Sequence, residues 1–331
     1  MPTPPRPGRR RLRALSGVLL ALTALCSSAA IGHPATATAH TARHREAATN
    51  WSTLAWGDNT YGQATIPDAV QQGASAIAAG DFHSLALKDG AVTAWGSNLY
   101  QQTDIPAQLS SGVTAIAGGY LHSLAVKDGA VIAWGSDRYG STDVPATAMS
   151  GVTAVAAGQF FSLALKDEGL TAWGDNRYQQ TDVPEEARAH ITAVAAGAYH
   201  ALALTDTGKV IAWGDNRNRQ TDVPAAVKSG TATAIAAGKD FSVAVVGGRV
   251  YAWGSKVANQ TVPALAQSKV TQVAAGYGSI TALLDTGRAI EWKINTNALT
   301  TVPTQANTKI QAISAGAYHS LALRGDPQPT Q

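Results

Sequence analysis

The sequence predicts an all-β fold: a seven-bladed β-propeller with short three-stranded blades, closed by N- and C-terminal strands that share one blade. Three observations lead there. A tryptophan recurs at Trp56, Trp95, Trp134, Trp173, Trp213, Trp253 and Trp292, with spacings of 39, 39, 39, 40, 40 and 39. A proline follows each of them by 10 or 11 residues, and a glycine column runs through Gly80, Gly119, Gly158, Gly197, Gly238, Gly276 and Gly316. The two ends of the chain carry complementary fragments of this unit. A fixed period near 40 residues is the signature of stacked supersecondary units.

The chain has 331 residues, and the elements are taken in order. Residues 1–13 hold Arg6, Arg9, Arg10, Arg11 and Arg13 and no acid, and Leu15 to Ile31 is almost wholly apolar or small. Ser28-Ala29-Ala30 and the Ala35 to Ala39 run supply small residues. That order is the order of a secretory signal, so residues 1–42 are expected to be a signal and leader and 43–50 a flexible linker. Cys26, the only cysteine, lies in the apolar run after the large Leu25 and is expected to leave with the signal. A cysteine-free secreted protein follows, with no disulfide and no cysteine-rich metal site. Loss of the five arginines leaves 20 basic against 22 acidic residues, so the basicity of the whole chain belongs to the signal. The mature protein has no electrostatic footprint for nucleic acid, and no membrane association is expected once the signal is cleaved.

Residues 51–325 are expected to form the propeller and 326–331 a tail. The first repeat shows the unit. Ser75 to Ala79 is a short run of small residues ended by Gly80, and Ser84-Leu85-Ala86-Leu87-Lys88 is a second strand. Asp89-Gly90 signals a hairpin turn, and Ala91 to Trp95 is a third strand ended by Gly96. A loop of about 15 residues holding the proline follows, with no helical period. The repeated Thr-Asp-Val/Ile-Pro at Asp104, Asp143, Asp182 and Asp222 reads as turn chemistry before a proline-fixed strand entry. The strands lack clean polar alternation, so both faces are covered, as in small sheets packed radially. Trp51 to Trp56 matches only a third strand, and Ile310 to Leu323 only a first and second. An open solenoid does not explain such ends, whereas a closed ring does, because it leaves no free edge.

Topology places the first–second loops on the same face as the segments that follow the third strands. That face gathers Phe82, Tyr120, Phe160, Tyr199, Tyr277 and Tyr318 from the first set, and Tyr61, Tyr100, Tyr139 and Tyr178 from the second. Asp58, Asp175, Asp215, Arg138, Arg177 and Arg217 join them. Tyr, Phe and Arg are enriched at protein interfaces, so this face is the expected partner-binding surface. Phe82, Phe160 and Tyr199 are expected to be exposed. Phe161 and Phe241 share a column with His83, His122, His200 and His319 and are expected between blades. These histidines lie in separate repeats among apolar neighbours and are expected to make structural hydrogen bonds. The Lys-Asp-Gly turns of the opposite face read as merely solvated. There is no paired acid/base set, no Gly-x-Ser-x-Gly and no phosphate-cradling loop, so no enzyme, metal or cofactor is expected.

The Trp-Gly…Gly-x-x-His-Ser-Leu-Ala-Leu pattern resembles the repeat of the regulator of chromosome condensation superfamily. Segments such as Ile116 to Gly129 and Val210 to Asn216 more closely resemble the β-lactamase-inhibitory protein II family. The likeness covers about residues 51–325. It implies a secreted, monomeric, non-enzymatic inhibitor that covers the mouth of a class A β-lactamase with the aromatic-lined face of the ring. By column, the implied contacts are Phe82, Phe160, Tyr199, Asp175 and Asp215. Arg217, Asn218, Asp240 and Gly278 stand where that family has aromatic residues, which implies a thinner surface in the fifth and sixth repeats. The alternative reading is an extracellular propeller for another ligand: a penicillin-binding protein, a cell-wall enzyme or a glycan. An exchange factor for a small GTPase, as in the wider superfamily, is opposed by the signal segment.

Overall fold

The computed structural model describes residues 51–166, 169–255 and 262–325. The predicted signal, leader, linker and tail lie outside the described residues. Seven separate sheets of three antiparallel strands follow one another along the chain. Blade 1 is Ala76–Ala79, His83–Lys88 and Ala91–Gly96. Blade 2 is Val113–Gly118, His122–Lys127 and Ala130–Gly135. Blade 3 is Val152–Ala157, Phe161–Lys166 and Gly169–Gly174. Blade 4 is Ile191–Ala196, His200–Thr205 and Val210–Gly214. Blade 5 is Ala232–Ala237, Phe241–Val246 and Arg249–Gly254. Blade 6 is Val270–Ala275, Ser279–Leu284 and Ala289–Lys293. Blade 7 is composite: Ile310–Ala315 and His319–Gly325 take Trp51–Gly57 as their third strand, in register from Trp51 opposite Gly325 to Gly57 opposite His319.

The hairpins form where turn chemistry dictates. Asp89 and Gly90 both have positive φ, 50° and 75°, as a tight turn matching the strand twist requires. The first strands are rich in alanine, with valine and isoleucine, because they crowd against both neighbouring blades. One core joins each blade to the next, as where Ala78, Leu85 and Leu87 meet Ile116, Ala125 and Trp134. Gly80 is bare for the same reason: a Cβ there would lie 2.2 Å from the His83 ring and 2.7 Å from the Gly119 carbonyl.

Ring closure is written in the backbone. Asp81 N–H donates to Gly119 O, Tyr120 to Gly158, Gln159 to Ala198, Ala198 to Lys239, Lys239 to Gly276, Tyr277 to Ala317, and Ala317 back to Asp81, all at 3.0 to 3.3 Å. Each bond crosses one blade boundary, and the seventh returns to the first blade.

The long loops differ from expectation. The proline does not admit a strand; it opens a single helical turn, as at Asp68–Val70, Ala107–Ser110 and Ala225–Lys228. Proline suits this place because its fixed φ fits a helix start and its missing N–H costs nothing there. The residue three positions on donates to the proline carbonyl and is buried: Val70, Leu109, Ala148, Ala187, Val227, Ala266 and Ala306. One turn is too short to show a period. The opposite face is also more organised than predicted, since Lys88, Lys127 and Lys166 donate to Ala69, Gln108 and Thr147 carbonyls within these turns, at 2.9, 2.7 and 3.1 Å. No helix among the described residues is long and apolar enough to cross a membrane.

Candidate protein-binding face

One backbone hydrogen bond per blade ties the first–second loop to the segment after the third strand. Asp58 N–H donates to Tyr318 O, Ser97 to Phe82, Ser136 to Leu121, Asp175 to Phe160, Asp215 to Tyr199, Ser255 to Asp240 and Ile294 to Gly278, at 2.8 to 3.0 Å. Both sets of loops therefore lie on one face, as the topology predicts.

Beneath that face runs a polar network between blades. His83 Nε2 meets Ser123 Oγ at 2.9 Å, His122 meets Ser162 at 3.0 Å, His200 meets Ser242 at 3.0 Å and His319 meets Ser84 at 2.9 Å. Each serine spends its own proton on a loop carbonyl, those of Gln102, Ser141, Gln220 and Gln63. The serine oxygen can only accept, so every imidazole is the Nε2–H tautomer. Burial holds these histidines far below their ordinary range, His83 at about 3 and the other three at about 4. Their expected structural role matches this geometry. Phe161 and Phe241 are buried in the same column, also as expected.

A glutamine column went unrecognised in the sequence. Gln63, Gln102, Gln180 and Gln220 each stand seven residues after a blade tryptophan and are fully or almost fully buried. Their Oε1 atoms accept the backbone N–H of Tyr61, Tyr100, Tyr178 and Asn218 at 2.8 to 2.9 Å, which fixes where the displayed side chains emerge. The fixed spacing was the available signal. The aspartates of the Thr-Asp-Val/Ile-Pro segments are turn organisers: Asp104, Asp182 and Asp222 accept from Asn98, Asn176 and Asn216 at 2.8 to 2.9 Å.

The aromatic side chains form a connected arc rather than scattered rings. Tyr277 packs on Tyr318 with centroids 5.7 Å apart, Tyr318 on Phe82 at 6.4 Å, and Phe82 on both Tyr61 and Tyr120 at 5.6 and 5.8 Å. Phe160 contacts Tyr120 and Tyr139 at 5.5 and 5.3 Å, and Tyr178 meets Tyr199 at 5.2 Å. Arginines join these groups. Arg138 lies 5.2 Å from the centre of Tyr139 and 5.4 Å from that of Phe160, Arg177 lies 4.4 Å from Tyr139, and Arg217 lies 4.2 Å from Tyr178. Tyr61, Tyr100, Tyr139 and Tyr318 are 43 to 58% exposed, Arg177 and Arg217 are exposed, and Phe82, Tyr120, Tyr178 and Tyr199 are half-buried. Leu99, 76% exposed beside Tyr100, extends the surface; a reading confined to rings and charges passes over it.

Three expected contact residues occupy different roles. Phe160 is only 7% exposed, because Tyr120, Tyr139 and Arg138 close over it; it supports the surface instead of presenting itself. Asp175 and Asp215 are each 3% exposed. Burial pushes their carboxyls up, but Arg177 and Arg217 outweigh it and hold them below the usual carboxylate range. Each arginine makes two side-chain bonds to its aspartate near 3 Å. The aspartates are thus out of a partner's reach and position the guanidinium groups.

Tyr277 Oη, from blade 6, donates to the Asp81 carboxylate of blade 1. Burial pushes the Asp81 carboxyl up to about 7, against the pull of the Tyr277 hydrogen bond and of nearby Lys239. Among the described residues no group of three His, Cys, Asp or Glu side chains is placed to hold a metal ion.

Three segments, residues 74–102, 152–180 and 191–220, match the regulator of chromosome condensation (RCC1) repeat. No match is found among curated proteins. Solved structures confirm the architecture. Human WBSCR16 superposes with a TM-score of 0.66 at 17% identity, over 83% of this chain and 98% of that one. Prp20p from Saccharomyces cerevisiae gives 0.64 at 18% identity, over 84% and 92%. The ectodomain of the Physcomitrella patens receptor kinase CR4 gives 0.59 at 23% identity, over 73% and 68%. The chain is a seven-bladed propeller that shares its fold with these structures, and three of its segments match the RCC1 repeat.

Proposed function

We propose that this chain is a secreted, non-enzymatic propeller that binds another protein through its aromatic face, and that the target is a class A β-lactamase whose active-site mouth the face occludes. The observation that carries this reading is the arc of touching rings and stacked arginines on one face, from Tyr277 through Tyr318, Phe82, Tyr120 and Phe160 to Tyr139 and Arg177. Large rigid rings locked by mutual contact bury area with little side-chain entropy left to lose. Secretion rests on the signal pattern of residues 1–42, and the choice of target on the resemblance of the repeats to the inhibitory family. Protein binding on this fold has a precedent in yeast Prp20p, described with binding properties to Gsp1p and histones and also solved bound to Kap60.

The test is direct. Nanomolar mature protein mixed with a class A β-lactamase should abolish hydrolysis of a chromogenic cephalosporin. Unchanged turnover at micromolar protein would remove this target. A different extracellular ligand, such as a penicillin-binding protein, a cell-wall enzyme or a glycan, is favoured by one feature: the arc is interrupted at Asn218, Asp240 and Gly278. Capture from the secreting culture, lost in a Tyr139→Ala, Tyr318→Ala double variant, would identify it.

A further inference from the structure

The interruption of the arc is a pocket. In the column just before the histidines, four blades carry Phe82, Phe160, Tyr199 and Tyr318 and blade 2 carries Leu121, but blades 5 and 6 carry Asp240 and Gly278. Nothing lies within 4 Å of where a Gly278 Cβ would stand. A cavity of about 200 Å³ opens there, walled by Asp240, Tyr277, Tyr318, Ser255 and Lys239.

The rest of the face shows what such a wall holds. Twice, a carboxylate and a tyrosine ring take a guanidinium between them: Asp175 and Tyr139 hold Arg177, and Asp215 and Tyr178 hold Arg217. At Gly278 a carboxylate and a tyrosine ring again line one space, here Asp240 and Tyr318 from the first–second loops of blades 5 and 7. Asp240 is half-buried and its carboxylate has no hydrogen-bond or ion-pair partner among the described residues, and the Tyr318 ring is 58% exposed. Lys239 does not fill the space, since its ammonium lies 5.1 Å from the Tyr277 ring centre, on the Asp81 side of the cluster.

We propose that this pocket receives a single arginine side chain of the bound protein, its guanidinium on the Tyr318 ring and paired with Asp240. A planar cation with a fixed fork of donors suits a ring and a carboxylate together better than a lysine does. The inference rests on the reading that this face binds a protein, and deepens it by naming what enters.

The pocket can be tested without any protein partner. The probe is N-acetyl-arginine amide, titrated into the mature protein and followed by amide chemical shifts, with N-acetyl-lysine amide and N-acetyl-norleucine amide as controls. Saturable shifts confined to residues around Asp240, Ser255, Gly278 and Tyr318 are expected, with arginine preferred over norleucine by about tenfold, the scale of one charge-assisted pair. Asp240→Asn should weaken arginine binding by about the same factor, and Gly278→Phe should abolish it, with the unfolding temperature unchanged because the added ring enters open space. Equal binding by Asp240→Asn, equal binding of norleucine, or no saturable shift with arginine would overturn the proposal. Arginine binding that persists while β-lactamase inhibition fails would overturn the target and leave the pocket standing.

Discussion

At the scale of single residues, the histidine column obeys a pairing rule that spans blades. Each histidine faces a serine of the next blade: His83 with Ser123, His122 with Ser162, His200 with Ser242 and His319 with Ser84. Where the column holds phenylalanine, the facing residue is apolar: Phe161 packs in one core with Ala201, and Phe241 with Ile280. The pairing serves the Nε2–H donor, which would cost about 1–3 kcal/mol if orphaned; on the other side of the ring, Nδ1 of His83, His200 and His319 is buried without a partner among the described residues. The neutral histidines also set an acid limit. The unfolded chain binds their protons near pH 6.5, whereas His122 in the fold binds its proton only near 4. Between those values the unfolded state holds more protons, so this contribution to stability is complete above about pH 6.5 and falls as the pH drops towards 4, by about 1.4 kcal/mol per pH unit for each histidine. His122→Phe with Ser162→Ala recreates the apolar pairing. It should leave stability at pH 7 within about 1 kcal/mol of the parent and flatten the pH dependence by one proton, as read from urea unfolding at several pH values. A slope identical to the parent's would show that His122 does not titrate with folding.

The blades were legible because their signals are local: a tryptophan before glycine, an Asp-Gly turn, strands four to seven residues long. The single helical turns were not, since a buried apolar residue three positions after each proline forms no period by itself. Nor was the clasp between blades 6 and 7. Glu291, on the third strand of blade 6, accepts from Trp56 Nε1 at 2.9 Å, Ser320 Oγ at 2.7 Å, Thr281 at 3.1 Å and Thr300 at 3.2 Å. Trp56 belongs to the N-terminal strand and Ser320 to the C-terminal one, so a single carboxylate grips both chain ends. In four other blades the indole finds a loop carbonyl instead: Trp95 finds Gln63, Trp173 Ser141, Trp213 Gln180 and Trp253 Gln220. Glu291→Ala strands the Trp56 N–H and the Ser320 hydroxyl, at a cost of about 2 kcal/mol or more. Amide exchange should then quicken first in residues 53–57, ahead of blades 2 to 4. Uniform acceleration in all blades would mean that the seam is no weaker than the rest.

For the ring as a whole, closure and display are one problem, because the seam runs through the arc. Tyr61 follows the N-terminal strand, Tyr318 opens the C-terminal strand, and both pack on Phe82 of blade 1. Their contacts exist only while Trp51–Gly57 is paired to His319–Gly325. The repeat columns and the complementary ends made this closure readable in the sequence. The depth of each ring was not, because it depends on neighbours from other blades, as Phe160 beneath Tyr139 shows. Removing residues 51–57 should leave an unpaired strand edge on blade 7, which invites association with another chain. The unfolding temperature should fall by about 10 °C or more and dimers should appear on gel filtration. Binding should fall with it, although no residue of the deleted strand was assigned to the interface. A synthetic peptide of residues 51–57 supplied in excess should restore the monomer, the unfolding temperature and binding together. Binding that survives the deletion would place the partner away from the seam, towards Tyr139 and Arg177 in blades 2 and 3.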